Sequence, residues 1–562
     1  MSEKIGIYVC ECGPNIASKV DIEKIMQELA KLEDYKDKEL VIKNHKLLCS
    51  VEGKKFLEDE INENNLTHLV CAACSPRDHD TTFINVCKKT ELNPYLYQIV
   101  NIREQCAWII PDKEEATSKA IRMIHGGMDR VMYQQPLEEK QLDSNPDVLI
   151  IGGGIAGMEA AITLASKDRA VYLIEKTDKL GGKSAKLKEL LPRQGVTLNN
   201  LQQKISDVQS NRYIKVFTNT ELDSIVGFLG NFEIVIKNVK ETDNTTELLA
   251  GAVVVATGFD LTNISSLDSY NSNKEDEIYN ALEIEEMLLA NGKITMQNGN
   301  EPTKVALIHC VGRPEVGYCS KTCCNYLLKI AKLVKGQSPT IEVTELYKHM
   351  CLPNKHDEEF YEQVQGKGVD FIKIKNAEVH GTTINLTDIT DAKKKLDVDM
   401  IIVGTAMVPA AGTAELGVEL NIDQHETGFF QEAHLKINPI STNTDGVFVV
   451  GGAHGPVGIS ESMLQAQAAA GKIFTQLIPG QKIIPEVKVS EILEAYCTGC
   501  QTCLEVCGFG AIYFDEDKGI SVVNEAICRG CGNCVGSCPS GSIRTRHFTN
   551  PQLYQEVKEA LR

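Results

Sequence analysis

Eight of the twenty cysteines stand near the C-terminus in a spacing that has a specific chemistry. They form two runs, Cys497-x2-Cys500-x2-Cys503-x3-Cys507 and Cys528-x2-Cys531-x2-Cys534-x3-Cys538-Pro539, the bacterial pattern for two [4Fe–4S] clusters. The fourth cysteine of each run serves the other cluster. The pattern therefore predicts one cluster on Cys497, Cys500, Cys503 and Cys538, and a second on Cys528, Cys531, Cys534 and Cys507. The first run ends in Cys-Gly instead of Cys-Pro, and two zinc sites are the alternative.

Five further cysteines lie between residues 310 and 351, and four of them occupy HCVGRPEVGYCSKTCC, residues 309–324. A [4Fe–4S] cluster takes four thiolates, which Cys310, Cys319, Cys323 and Cys324 could supply. An adjacent cysteine pair is unusual for such ligation. A reactive dithiol and buried cysteines that act as small apolar residues therefore stay open. Cys351 stands alone in a polar stretch, and we predict no role for it.

Seven cysteines precede residue 107, and their spacing matches no standard motif. Cys10-x-Cys12-Gly ends the first predicted strand, Cys49 and Cys74 stand at strand ends, and Cys106 lies in NIREQCAW. A metal site and scattered core thiols both fit this pattern. Cys71 and Cys87 are predicted to be core residues.

A dinucleotide site is predicted in VLIIGGGIAGMEAAITLAS, where an apolar strand leads through Gly152-x-Gly154-x-x-Gly157 into an alanine-rich helix. The glycines permit the tight turn, the approach of the pyrophosphate and close packing of helix on strand. The next predicted strand, AVYLIE, ends at Glu175, about twenty residues on, where an acid binds the ribose hydroxyls.

The downstream motifs favour FAD over NAD. KTDKLGGKS, VVVATG and STNTDGVFVVGGAHGPVGISESMLQAQAAAG resemble, in order, the other FAD motifs of the glutathione-reductase class. A helix that starts near Ile459 would direct its N-terminal amides at the flavin and favour negative charge there. The predicted FAD-binding residues are Gly152, Gly154, Ile155, Ala156, Gly157, Glu175, Lys176, Gly181, Gly182, Ala256, Thr257, Gly258, Gly451, Gly452, Ile459 and Ser460.

A second Rossmann unit of this class is recognisable at residues 304–410, but it lacks the glycines for a second pyrophosphate. Arg313, Pro314 and Glu315 follow VALIHCVG instead, and then the cysteines. The CxxC disulfide of thioredoxin reductases is also missing. The unit is therefore predicted to be a degenerate nicotinamide-type subdomain that carries a cluster.

The elements around these motifs predict an α/β protein of 562 residues. We expect a two-Rossmann flavoprotein of the thioredoxin and glutathione reductase type, with an N-terminal α/β cysteine-rich domain and a C-terminal α+β ferredoxin domain. The predicted domains are residues 1–143, 144–480 and 485–545, followed by a helical tail at 546–562. A net charge of −19 argues against nucleic-acid binding. We find no signal peptide and no membrane span, and we expect a cytoplasmic protein.

The whole chain resembles the A-type component of heterodisulfide reductase, the FAD and iron–sulfur subunit known from methanogens. The resemblance runs through VCECGPNI, AACSPRDH, NPYLYQIVNIREQCAW, the middle cysteines, GFFQEAHLKINP, GGAHGP and the ferredoxin runs. It implies a [4Fe–4S] cluster at Cys310, Cys319, Cys323 and Cys324. It also implies an N-terminal cluster drawn from Cys10, Cys12, Cys49, Cys74 and Cys106. The family places a lysine near the flavin, and the matching residue is Lys329, for which a solvated helix lysine is the alternative.

The resemblance implies an oxidoreductase that performs flavin-based electron bifurcation or confurcation. Its implied partners are B- and C-type subunits, a donor module such as a hydrogenase or formate dehydrogenase, and ferredoxin, in a homodimeric complex. Methanogen members carry a further two-cluster insert, whereas KLKELLPRQGVTLNNLQQKIS has no cysteine. Two other functions stay open: an NAD(P)H-oxidising iron–sulfur flavoenzyme, and a relay component of a quinone-linked membrane complex.

Overall fold

A computed structural model describes residues 3–32, 35, 38–190, 198–241, 243–267 and 277–562. The chain forms two compact units, one of Met1–Gln141 with Ile484–Arg562, the other of Leu142–Ile483. Part of the cysteine-free stretch KLKELLPRQGVTLNNLQQKIS, residues 191–197, falls outside the described residues. Within the described ranges, no helix combines the length and apolarity needed to cross a bilayer.

The N-terminal part of the first unit is a parallel sheet covered by helices. Its elements are β1 Lys4–Cys10, α1 Ile22–Ala30, β2 Glu39–His45, α2 Val51–Asn64, β3 His68–Ala73, α3 Pro76–Cys87, β4 Tyr97–Asn101 and α4 Lys113–Val131. The strand order is β2–β1–β3–β4. Every residue of β3 is buried, as expected for a central parallel strand with helices on both faces. Cys10 ends β1 and Cys74 follows β3, so both lie at the carboxyl edge of this sheet.

The second unit combines parallel strand–helix units with runs of antiparallel strands, which confirms the predicted α/β class. Its elements are β5 Val148–Ile151, α5 Ile155–Leu164, β6 Val171–Glu175, α6 Leu198–Ser210, β7 Ile214–Thr218, β8 Thr220–Phe228, β9 Asn231–Asn238, β10 Thr245–Ala250, β11 Ala252–Val255, β12 Phe259–Leu261, β13 Ile278–Asn280, α7 Ala281–Asn291, β14 Lys304–Val311, α8 Arg313–Val316, α9 Cys323–Gln337, β15 Glu342–Tyr347, α10 Asp357–Gln365, β16 Val369–His380, β17 Thr383–Asp388, β18 Lys393–Asp397, β19 Met400–Thr405, β20 Met407–Pro409, α11 Thr413–Glu419, β21 Val447–Val449 and α12 Ile459–Gln476.

Two larger sheets organise this unit. The first is parallel, with order β21–β11–β5–β6–β7, so the loops after β5, β11 and β21 meet at one carboxyl edge. The second has order β13–β19–β14–β15–β16–β17–β18 and is parallel from β13 to β16. The short strands β12 and β20 pair antiparallel and connect the segments that follow β11 and β19.

The C-terminal part of the first unit consists of short elements around the late cysteines. These are β22 Ser490–Ile492, α13 Thr502–Glu505, β23 Ile512–Asp515, β24 Ile520–Val523, α14 Asn533–Ser537, β25 Ile543–Thr545 and α15 Asn550–Ala560. Helix α15 packs along α4, where a Cβ on Gly126 would lie 3.4 Å from the Glu556 Cα. Arg130 of α4 donates hydrogen bonds to the Glu556 carboxylate and the His547 carbonyl, both at 2.9 Å.

Candidate functional site

The loop between β5 and α5 has the tight backbone packing that a dinucleotide site requires. Gly152 has a φ of 111°, and a Cβ there would lie 2.4 Å from the Ala256 carbonyl oxygen. A Cβ on Gly157 would lie 1.9 Å from the Gly152 carbonyl oxygen, so both positions require glycine. A Cβ on Gly154 would meet no described atom within 4 Å. The N-terminus of α5 therefore faces open space, where a pyrophosphate fits.

Glu175 ends β6 directly beside this loop. Its carboxylate accepts the backbone N–H of Gly153 at 2.8 Å and both the N–H and the hydroxyl of Thr177 at 2.8 Å. These bonds fix the carboxylate at the end of β6, where a ribose would lie. The neighbouring Lys176 is exposed and pairs with Glu221 at 3.4 Å.

The other predicted FAD residues close around the same loop. A Cβ on Gly182 would lie 3.1 Å from the Gly154 Cα, and one on Gly451 would lie 3.0 Å from the Ala156 Cβ. The Thr257 hydroxyl oxygen is buried and has no hydrogen-bond partner among the described residues, so it is available to a ligand. The same loops hold Ile155 at the start of α5, Gly181 before Gly182, Ala256 and Gly258 after β11, and Gly452 after β21.

The N-terminus of α12 lies against the loop that carries the middle cysteines. The helix begins at Ile459, as predicted, with Ser460 second, and its N-cap residue Gly458 provides no side-chain cap. A Cβ on Gly458 would lie 4.0 Å from the Thr322 Cγ2 atom. Lys321 and Glu461, in the first turn of α12, approach to 3.8 Å. The helix whose amides are predicted to face the flavin is thus adjacent to the residues before α9.

All five middle cysteines lie together. Cys310 is the penultimate residue of β14 and has a left-handed φ of 61°, and Cys323 and Cys324 open α9. The thiols of Cys310, Cys319, Cys323 and Cys324 interact electrostatically with one another. Cys351 does not stand alone, as its polar neighbours suggested, because its backbone N–H donates to the Cys324 sulfur at 3.3 Å and its thiol reaches Cys319.

The surroundings of the middle cysteines shift their pKa values in opposite directions. Hydrogen bonding with Cys323 lowers the pKa of Cys324 to about 4, against burial and with help from His309. The same contact with Cys324 raises the pKa of Cys323. Burial raises the pKa of Cys310, and a hydrogen bond from Arg313 opposes the rise. The hydrogen bonds to Cys324 therefore favour its thiolate, the form that iron requires.

A histidine–carboxylate pair stands behind Cys324. His309 of β14 and Glu345 of β15 join at 2.6 Å between Nε2 and a carboxylate oxygen, and both side chains are 0% exposed. Burial lowers the pKa of His309, but hydrogen bonding with Cys324 and with Glu345 outweighs it and raises that pKa to about 9. The sequence offers one signal for His309, its position before Cys310, and none for Glu345.

Lys329 is buried on α9, which contradicts the alternative of a solvated helix lysine. Its ammonium pairs with the Glu285 carboxylate of α7 and donates to the Glu189 carbonyl at 2.7 Å. Burial lowers the pKa of Lys329, and the attraction of Glu285 opposes the drop. Glu285 also accepts the Lys188 backbone N–H at 2.5 Å. The pair is thereby attached to the segment that follows the predicted FAD glycines 181 and 182.

Four of the five N-terminal candidates gather at the carboxyl edge of the first sheet. Cys10 interacts with Cys12 and Cys49, and Cys74 interacts with Cys12 and Cys10. Burial raises the pKa of Cys10 and of Cys74. Cys106 is not among the thiols that act on Cys10 or Cys74, and its sulfur lies 3.6 Å from the Met123 sulfur.

The late cysteines form two groups that combine both runs. One cavity is lined by Cys497, Cys500, Cys503 and Cys538. Ser521 also lines it, and the buried Ser521 hydroxyl has no hydrogen-bond partner among the described residues. Hydrogen bonds from Ser540 and Ser542 outweigh burial and lower the pKa of Cys538 to about 7. A group of thiolates around an open space fits a cluster.

The second group is Cys528, Cys531, Cys534 and Cys507. Burial raises the pKa of Cys534, and the charges of the other three thiols act on it. Backbone N–H groups of Ser490 and Gly530 donate to the Cys528 sulfur, each at 3.5 Å, and that of Ala511 donates to the Cys507 sulfur at 3.3 Å. Such bonds stabilise negative charge on cluster sulfurs.

A single zinc ion would need a tighter arrangement of donors. Zinc–sulfur bonds of about 2.3 Å hold four sulfurs around one ion. Among the described residues, no three histidine, cysteine or acidic side chains converge so closely.

The chain is similar to known proteins over nearly its whole length. Residues 146–472 match the family "Pyridine nucleotide-disulphide oxidoreductase", and residues 496–542 match "4Fe-4S dicluster domain". The A-type component of the H(2):CoB-CoM heterodisulfide,ferredoxin reductase of Methanothermobacter thermautotrophicus is 31% identical over 99% of this chain and 97% of its own.

Two further relatives are similar at comparable levels. An A-type iron–sulfur component of the CoB–CoM heterodisulfide reductase of Methanopyrus kandleri is 30% identical over 100% of this chain and 99% of its own. The A-type component of the ferredoxin:CoB-CoM heterodisulfide reductase of Methanosarcina mazei is 31% identical over 99% of this chain and 81% of its own.

These matches confirm an oxidoreductase of the predicted flavoprotein fold, with FAD and [4Fe–4S] clusters as cofactors. The alignments extend over 647 to 652 positions, more than the 562 residues of this chain, so the relatives contain residues that it lacks. The glycine loop and the two groups of late thiols fit FAD and two clusters, respectively.

Proposed function

The chain belongs to the family of A-type heterodisulfide reductase components, and from this membership we propose that it distributes electrons within a heterodisulfide-reductase-like complex. FAD exchanges electron pairs and single electrons, and the clusters carry single electrons. The protein residues hold these groups in fixed positions and set the charge around them. The protein partners proposed are B- and C-type subunits, a donor module such as a hydrogenase or formate dehydrogenase, and ferredoxin.

One observation carries this proposal: the middle thiols lie beside the predicted flavin helix. The loop before α9 is fixed from two sides, because Ser320 accepts the Met407 N–H of β20 at 2.8 Å and Lys321 lies 3.8 Å from Glu461 in the first turn of α12. Strand β20 in turn pairs with β12, which follows the FAD-motif residue Gly258. A one-electron carrier on Cys310, Cys319, Cys323 and Cys324 would therefore stand next to the flavin.

We propose the ligands of the N-terminal cluster from the same kind of grouping. Cys10, Cys12, Cys49 and Cys74 lie together, whereas Cys106 contacts Met123.

None of the twenty cysteines forms a disulfide within the described residues, which supports a reducing compartment, and we propose the cytoplasm.

We propose, more specifically, that the complex performs flavin-based electron bifurcation or confurcation. The names of two relatives include ferredoxin, which supports ferredoxin as one of the partners. Because this chain has no cysteines where methanogen members carry their extra clusters, we propose the C-terminal two-cluster part as the site of exchange with ferredoxin. We further propose a homodimeric complex.

The NAD(P)H-oxidising alternative requires a second pyrophosphate site after β14. There Cys310, a four-residue helix and further cysteines replace the glycine loop and the long helix N-terminus. The third candidate, a relay component of a quinone-linked complex, would require a separate membrane protein as its partner.

Anaerobic purification of the native complex, with iron, flavin and partner analysis, tests the proposal. We expect about sixteen irons and one FAD per chain, for four clusters of four irons. About eight irons would contradict both unusual cluster sites. Rapid bleaching of the flavin by NAD(P)H would contradict our reading of residues 304–410, and co-purification with a membrane cytochrome would favour the quinone-linked relay.

A further inference from the structure

Ser521 is a buried polar residue on a side of a hairpin that is otherwise apolar. Strand β24 pairs antiparallel with β23, so that Ile512 lies opposite Val523 and Phe514 lies opposite Ser521. Residues that lie opposite each other, or two apart on one strand, point to the same side of a hairpin. Three of the four residues on this side are apolar, and Ser521 is the exception.

This side of the hairpin covers the late cysteines. Ile512 belongs to the same buried apolar cluster as Cys503. A Cβ on Gly499, within the first late run, would lie 3.6 Å from the Phe514 ring. The other side of the hairpin is turned outward, since Tyr513 is 53% exposed. The Ser521 side chain is therefore directed towards the thiols.

The Ser521 hydroxyl is buried beside the first group of late cysteines. Its side chain is 2% exposed, and its oxygen forms no hydrogen bond within the described part of the chain. Buried polar groups in native proteins are nearly all hydrogen-bonded, because an unpaired one costs free energy. Ser521 lines the same cavity as Cys497, Cys500, Cys503 and Cys538. A cluster held by these four thiols would be adjacent to the hydroxyl.

Two other hydroxyls already contact a cysteine sulfur of this group. The Ser542 and Ser540 oxygens lie 3.3 and 3.5 Å, respectively, from the Cys538 sulfur. Ser521 forms no such contact with a cysteine among the described residues. A serine hydroxyl always has one hydrogen to donate. An inorganic sulfide of the cluster is therefore the acceptor that remains for Ser521.

We propose that the Ser521 hydroxyl donates a hydrogen bond to an inorganic sulfide of the cluster predicted on Cys497, Cys500, Cys503 and Cys538, and that this bond raises the reduction potential of the cluster. The inference rests on the electron-transfer function proposed above. Reduction adds negative charge to a cluster, and hydrogen bonds to its sulfurs stabilise that charge. Ser521 binds no iron and tunes the cluster from outside, as outer partners of metal ligands do.

The test compares Ser521→Thr with Ser521→Val in the full-length holoprotein, purified without oxygen. The two new side chains have nearly the same shape, and only threonine has a hydroxyl. In redox titrations followed by electron paramagnetic resonance, the transition of this cluster should shift to more negative potential in Ser521→Val and stay near the wild-type value in Ser521→Thr. We expect about a tenfold change in the reduction equilibrium, which is about 59 mV for one electron.

Val522→Ala is the matched control, because Val522 is on the same strand and lies opposite the exposed Tyr513. Both late transitions should keep their wild-type potentials in this variant. Ser521→Ala should shift the transition in the same direction as Ser521→Val, and it replaces the valine variant if that one does not fold. Equal potentials in Ser521→Thr and Ser521→Val would overturn the inference.

Exchange into deuterium oxide gives a second readout. Pulsed electron paramagnetic resonance should detect one more exchangeable hydrogen coupled to this cluster in the wild type and in Ser521→Thr than in Ser521→Val. The signal that Cys497→Ala removes identifies the cluster to be followed. Equal couplings in all variants, with every cluster signal intact, would overturn the role of Ser521 alone. A wild type without [4Fe–4S] signals would overturn the proposed electron transfer as well.

Discussion

The Lys329 ammonium and the Glu285 carboxylate form an ion pair with side chains 2% and 0% exposed, respectively. The pair joins α9, which begins with the Cys323–Cys324 pair, to α7. Hydrogen bonds to the Glu189 carbonyl and from the Lys188 N–H attach it to the loop after the FAD glycines. A buried cation is thus held between the predicted cluster helix and the predicted flavin loop.

Replacing Lys329 should change the reduction potential of the flavin. We expect Lys329→Ala to shift the flavin reduction potential to more negative values, because a nearby cation stabilises the charge gained on reduction. A shift on the order of 30 mV corresponds to about 1.4 kcal/mol for a two-electron couple. Spectroscopic redox titration measures it. Lys332→Ala is the matched control, since Lys332 is on the same helix in a partly exposed pair with Glu189. Equal potentials in wild type and Lys329→Ala would refute the role.

Breaking the pair should also cost stability. Lys329→Met leaves Glu285 buried without its partner, and we expect a loss of about 3–5 kcal/mol. The double variant Lys329→Met/Glu285→Met should lose less, because no unpaired charge stays buried. Thermal unfolding followed by flavin fluorescence compares the variants. A double variant less stable than Lys329→Met would contradict this explanation.

If the fourth cysteine of each late run binds the cluster of the other run, single-cysteine variants should pair up by the cluster signal that they disturb. We expect Cys538→Ala to disturb the same cluster signal as Cys497→Ala, and Cys507→Ala the same signal as Cys528→Ala. The cavity that combines Cys538 with the first run is the structural reason. Electron paramagnetic resonance of each reduced variant provides the measurement. If Cys538→Ala instead changed the Cys528 signal, each run would serve its own cluster.

The proposed N-terminal cluster uses Cys12 as a ligand and does not use Cys106. Cys12→Ser should lose about four irons per chain, whereas Cys106→Ser should retain the full content. The reason is that Cys12 interacts with Cys10 and Cys74, while Cys106 contacts Met123. Iron analysis of the two purified variants, matched for flavin content, measures the difference. Equal iron loss in both would place Cys106 among the ligands.

The features that could be predicted from the sequence are those set by the spacing of residues within one short segment. The glycine loop could be read from the sequence because Gly152 and Gly157 meet atoms within a short strand–turn–helix unit. The start of α12 at Ile459 was predictable for the same reason, since the preceding strand and glycines delimit it. The late cysteines follow a repeat with a known chemical meaning.

The rest depends on contacts between distant segments. Glu345 reaches His309 across neighbouring strands, and Glu285 meets Lys329 only because α7 packs on α9. Sequence periodicity marks apolar faces, and it cannot single out which charged residue is turned inward. Cys351 shows the same limit, because its polar neighbours indicated a loop while its backbone N–H reaches Cys324.

The packing of α15 on α4 affects the order in which the protein can be completed on the ribosome. Arg130 and its partner Glu556 are 426 residues apart, and the entire flavin unit is synthesised between them. At about 5–20 residues per second, roughly 20–85 seconds pass before the second partner emerges. During that time the face of α4 around Gly126 lacks its cover. The N-terminal sheet is therefore made before the flavin unit and finished after it.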